Sequence, residues 1–172
     1  MAQVAEKAPF VYDASLEDQG ADPAREAPEP GTVVGVLCDV VPLGWEVQEP
    51  FPGDKNGKSK EVFKLELYWQ IEEMNSKGYR FTPRRRMTLS LNEKATFAKF
   101  YSVLVGRPLT EAEATGKAKV TPKSLFPLIG TSVLLNLVRT PKGYTNVDSI
   151  SALPKGLARL EIENFTRVKD RN

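Results

Sequence analysis

From Phe63 to Ile71 the side chains alternate without a break: Phe63, Leu65, Leu67, Trp69 and Ile71 are apolar, and Lys64, Glu66, Tyr68 and Gln70 stand between them. Successive side chains of a strand point to opposite faces of its sheet, so this run predicts a strand with one face on the core and the other toward solvent or ligand.

The neighbouring segments extend the same pattern. A β-branched run from Thr32 to Val41, ended by Pro42, predicts a first strand with Gly35 as a bulge or bend. Residues 42–60, rich in Pro, Gly, Lys and Asp, predict a long loop. After a turn over residues 72–78, Phe81, Met87, Leu89 and Leu91 share one phase while Arg80, Thr82, Arg84, Arg86, Thr88 and Ser90 share the other. This is a third strand with arginines on its open face and an irregularity at Pro83; Arg85 falls in the apolar phase and is expected at the mouth of the fold. Ser90 and Glu93 have capping-box spacing ahead of a helix whose stripe is Phe97, Phe100, Tyr101 and Leu104, stopped at Gly106 and Pro108. Thr110 to Glu113 offers a second cap, and 125–129 a short buried segment. Strands over 132–138 and 144–150, joined by a tight turn, complete the pattern, and residues 155–172 form an appendage or an association surface.

Charge divides the chain after Pro30. Residues 1–30 hold two basic and seven acidic side chains, net −5, leaving 22 basic and 15 acidic, net +7, for residues 31–172. An acidic Pro- and Ala-rich leader buries too little apolar surface to order itself, which predicts a disordered acidic arm over 1–30, a domain over 31–154 and the appendage over 155–172. Tethered to a basic domain, the arm is expected to compete with an anionic ligand. No run is apolar enough to span a membrane and the leader lacks a secretory signal, so the cytoplasm is the expected location. With no histidine and one cysteine, histidine-dependent nucleophilic sites, histidine zinc sites and disulfide scaffolds are excluded. No catalytic residue, metal or cofactor is assigned.

Three strands, a helix and a two-stranded hairpin are the order of an OB-fold: all-β with one helix, a five-stranded Greek-key barrel in the order β-β-β-α-β-β. In that fold oligonucleotides cross strands two and three between two loops. Those positions hold Lys64, Tyr68, Arg80, Arg84 and Arg86 on the strands, Trp45, Phe51, Lys55, Lys58 and Lys60 in the first loop, and Arg139, Lys142 and Tyr144 in the second. Cations that track phosphates, interleaved with rings that stack on bases, are the composition single-stranded nucleic acid requires.

The stretches Gly78-Tyr79-Arg80-Phe81, Leu89 to Ala95, Gly106-Arg107-Pro108, Leu128-Ile129-Gly130 and Ile150 to Pro154 carry a resemblance. Over residues 31–154 the chain resembles a phage-encoded family of small OB-fold single-stranded DNA-binding proteins from phage and prophage replication and recombination regions. The resemblance implies non-enzymatic, largely sequence-independent binding of single-stranded DNA in the host cytoplasm, with replication or recombination proteins and further copies of the chain as partners. Bacterial single-strand binders of this fold end in an acidic tip; this chain ends Val168-Lys169-Asp170-Arg171-Asn172, so recruitment through such a tip is not expected.

Other motifs are weaker. Gly53 to Ser59 has three residues between its glycines where a phosphate loop has four, and it leads into a strand. Glu72 and Glu73 are adjacent, which suits a solvated turn, and Cys38 lies within an apolar strand as a small core residue. A rival class remains open: a phage structural or protein-interaction module, a virion component or a host-defence inhibitor, using the same barrel. RNA binding is not separated from DNA binding by the sequence.

Overall fold

A computed structural model describes residues 26–50 and 52–171. The bulk of the expected acidic arm and the candidate nucleic-acid-binding residue Phe51 lie outside the described residues. The chain is mostly β, with a single antiparallel five-stranded sheet in the order β3-β2-β1-β4-β5. The strands are β1 (Gly31–Gln48), β2 (Lys60–Ile71), β3 (Arg84–Thr88), β4 (Ser132–Arg139) and β5 (Thr145–Ala152). Between β3 and β4 lie helix α1 (Thr96–Val105) and the single-turn helices α2 (Glu111–Ala114) and α3 (Pro122–Leu125).

β1 organises the sheet. Its first residues pair with β4, Gly31 opposite Leu137, and the remainder pairs with β2 as far as Gln48 opposite Lys60. Register shifts between Leu37 and Asp39 and between Pro42 and Gly44 bend it from one partner to the other. Pro42 therefore does not end the strand: at an irregularity its missing N–H costs no ladder bond, and the connecting loop shrinks to residues 49–59. Gly35 is not the bulge; a Cβ there would collide with the Leu135 side chain, so this glycine serves close packing.

Leu65, Leu67, Trp69 and Ile71 of β2 are buried, as their alternation predicts. They meet Leu37 and Val40 of β1, Leu135 and Leu137 of β4 and Val147 of β5. α1 inserts Phe97, Phe100, Tyr101 and Leu104 into this core, with the Phe100 ring centroid 5.9 Å from that of Trp69. It ends at Gly106, whose φ of 76° suits glycine, and the Gly106 and Arg107 amides both bond back to the Ser102 carbonyl. The expected cap at Ser90 is absent. Ser90 Oγ accepts from the Asn92 amide and Asn92 Oδ1 from the Lys94 amide, so two local turns use these side chains and α1 starts later, after Ala95. The box expected at Thr110 and Glu113 does form and opens α2.

The third strand is much shorter than its alternation suggests. β3 covers only Arg84–Thr88, because Pro83 interrupts it; an isolated Met74–Arg80 bridge remains upstream. The sheet accordingly does not close into a continuous barrel: among the described residues β3 and β5 are its two edges. Arg85 spans the seam, donating from Nη1 to the Val147 and Asp148 carbonyls at 3.0 Å each.

Residues 26–28 and the C-terminal segment pack on this frame. Pro28 is buried, and its carbonyl accepts from Thr145 Oγ1 at 2.9 Å and Arg139 Nη2 at 3.4 Å, while Glu26 accepts from the Ser76 amide at 2.8 Å. The C-terminal segment crosses the outer face of β1 and β2 as a strap. Leu160 is buried and exchanges backbone hydrogen bonds with the Ser132 hydroxyl; Phe165 and Val168 pack on Cys38, Val41 and Tyr68.

Candidate nucleic-acid interface

Register places the candidate cations. Lys64 lies opposite Thr88, Glu66 opposite Arg86 and Tyr68 opposite Arg84, so Lys64, Arg84 and Arg86 share the outer face of β2 and β3. Two carboxylates share it with them. Glu46 of β1 lies 2.7 Å from Arg86 Nη2 and 3.9 Å from Lys64 Nζ. Glu66, buried, faces Arg84 Nε at 3.5 Å. The basic face is thus internally paired, and its net charge is smaller than the cations alone suggest.

Tyr68 does not offer a ring for stacking. It is only 7% exposed, under Phe165 and Val168, and its hydroxyl donates to Glu66 Oε1 at 2.6 Å. Burial, and then the hydrogen bond and charge of Glu66, push its phenol up to about 12. Gln70, expected on the open face, is also buried: its side chain exchanges hydrogen bonds with the Glu163 backbone, 2.6 Å to the carbonyl and 2.9 Å from the amide. Asp39 is satisfied the same way, accepting from Arg167 Nε at 3.0 Å and the Val168 amide at 2.6 Å. Burial pushes the Cys38 thiol well up, leaving a small core residue rather than a nucleophile.

The remaining candidates are scattered around this face. Trp45 is 69% exposed but belongs to β1 rather than to a loop; it sits opposite Phe63, edge to face at 5.5 Å, in the phase of the core residues. Lys58 and Lys60 are exposed at the end of the β1–β2 hairpin. Arg80 is held by the strap, donating to the Glu161 carbonyl at 2.7 Å and facing Glu163 Oε2 at 3.3 Å. Arg139, Lys142 and Tyr144 lie at the β4–β5 turn beside Gly31, at the opposite end of β1 from Lys58 and Lys60, and Arg139 contacts Pro28. The structure therefore brings together Lys64, Arg84 and Arg86, and takes Tyr68 and Arg80 off the open surface by covering both.

Glu46, Asp39 and the strap were not anticipated as parts of this face; Glu66 was placed on it by its alternation with Lys64, but not as the buried partner of Tyr68 and Arg84. Among the described residues no cluster of three His, Cys, Asp or Glu side chains could hold a metal, and no helix is long and apolar enough to cross a membrane. Comparison of the chain with known protein families, curated proteins and solved structures finds no match.

Proposed function

We propose that this chain is a non-enzymatic binder of single-stranded DNA on an OB-type scaffold, acting in phage or prophage replication or recombination in the host cytoplasm. The observation that carries the reading is the convergence of Lys64, Arg84 and Arg86 on one sheet face. Sheet order β3-β2-β1-β4-β5, with α1 between β3 and β4 and Arg85 joining the edge strands, supports the scaffold. The Glu46 pairs do not block the face. Partly exposed ion pairs contribute only about 0–1 kcal/mol, so a backbone phosphate can replace this carboxylate at little cost. Trp45 supplies an exposed ring on the neighbouring β1–β2 hairpin, in the opposite phase from these cations.

A second reading, a protein-interaction module, draws on a different observation: Trp45 and Val47 are both strongly exposed on the same stretch of β1, at 69% and 60%. Fluorescence anisotropy with labelled single- and double-stranded oligonucleotides separates the two. The DNA reading predicts tighter binding of the single strand; an interaction module predicts binding of neither.

A further inference from the structure

Between the 74–82 segment and the C-terminal strap lies a cleft of about 200 Å³, lined among others by Met74, Tyr79 and Arg80 on one side and Glu163, Asn164 and Arg171 on the other. It is smaller than the roughly 300–1,000 Å³ of drug-sized ligand sites. We propose that this cleft holds one base of the bound strand, an inference that rests on the single-stranded DNA reading and adds a subsite away from Lys64, Arg84 and Arg86.

Its rim carries two large apolar side chains that the fold leaves out of the core. Met74 is 55% and Tyr79 59% exposed. Tyr79 is nonetheless fixed by its backbone: its amide donates to Asn75 Oδ1 at 3.1 Å, its carbonyl accepts from the Asn75 amide at 2.8 Å, and the Met74–Arg80 bridge closes the turn. The backbone that carries this exposed ring is already ordered, so stacking a base on it costs the ring's rotamer freedom but no backbone ordering.

The opposite wall is equally fixed. The paired hydrogen bonds between Gln70 and Glu163 anchor the strap, and Asn164 next to them adopts φ 48°, a left-handed conformation that asparagine tolerates better than most residues. Arg80 has its Nε buried with no hydrogen-bond partner among the described residues, although its terminal nitrogens reach the strap. A buried donor in this state favours an acceptor nearby, such as a base carbonyl or ring nitrogen. The Glu163 carboxylate in the same lining repels phosphate but accepts from an exocyclic amine. The exposed ring, the buried Arg80 Nε and the Glu163 carboxylate give the cleft partners that suit a base.

The test is anisotropy with a labelled oligodeoxycytidine and with an abasic strand of equal length, for the wild type, Tyr79→Ala and Tyr79→Phe. The subsite predicts that Tyr79→Ala loses roughly fivefold or more on the base-bearing strand, the loss of one stacked base. Tyr79→Phe should retain binding, and the abasic strand should not distinguish the variants. Wild-type binding of oligodeoxycytidine that Tyr79→Ala leaves unchanged, or a loss equal on both strands, overturns the subsite alone. A wild type that binds neither strand overturns the single-stranded DNA reading, and the subsite with it.

Discussion

Glu46 of β1 reaches past β2 to Arg86 of β3, 2.7 Å away, and holds Lys64 at 3.9 Å on the way. One exposed carboxylate thus neutralises part of the face on which phosphates are proposed to bind. Glu46→Gln should tighten oligonucleotide binding several-fold at low salt and leave thermal stability almost unchanged, since such pairs contribute about 0–1 kcal/mol. Titration of the variant beside the wild type checks this; unchanged affinity would mean that Arg86 and Lys64 do not meet the ligand.

Arg84 behaves differently from Arg86, although both belong to the same phase of β3. It faces Glu66, which is 1% exposed, whereas Arg86 faces the partly exposed Glu46. Arg84→Gln should lower stability by about 1–3 kcal/mol, because a buried carboxylate loses the cation facing it. Pairing it with Glu66→Gln should recover much of that loss. Denaturant unfolding of the single and double variants measures the coupling.

The strap contributes to stability through buried polar groups on the sheet. Asp39 is 1% exposed and accepts from both Arg167 and the Val168 amide. Asp39→Ala should cost about 1–3 kcal/mol through the loss of these bonds and the undocking of Phe165 and Val168. Hydrogen exchange should then rise across 160–171. A variant as stable as the wild type would show that the strap rests on the sheet without holding it.

Acid sensitivity is predicted at α2. The Glu113 carboxyl is held down to about 2 from 4.5 by the Arg107 guanidinium and by the Thr110 amide. A carboxylate with a depressed folded-state value contributes stability that is fully present above 4.5 and is lost as pH falls toward 2. In Glu113→Gln the melting temperature should fall less steeply over that window than in the wild type. Parallel acid limbs for the two proteins would remove Glu113 from the acid response.

Much of the inner face was legible in the sequence, and much of the outer face was not. The alternation of Leu65, Leu67, Trp69 and Ile71 and the helical stripe of Phe97, Phe100, Tyr101 and Leu104 name core residues directly, because period alone decides which side chains share a face. The same period says nothing about what covers the other face. Tyr68 and Gln70 are buried by a strap whose sparse apolar residues, Leu160, Phe165 and Val168, follow no period, and which docks through side chain to backbone bonds 28 to 129 positions apart in sequence. Pro42 and Ser90 misled for a local reason. A bulge accommodates the proline inside β1, and tight turns use the serine that a helix cap would have needed.

The most direct measurement is the salt dependence of oligonucleotide affinity for the wild type and the Lys64→Gln, Arg86→Gln double variant. Single-stranded DNA binding on this face predicts a linear fall of log K with log salt, and a slope shallower by about 1.4 in the variant, since each phosphate contact to a single strand adds about 0.7. Binding that salt does not weaken, or a slope the double variant leaves unchanged, would contradict it.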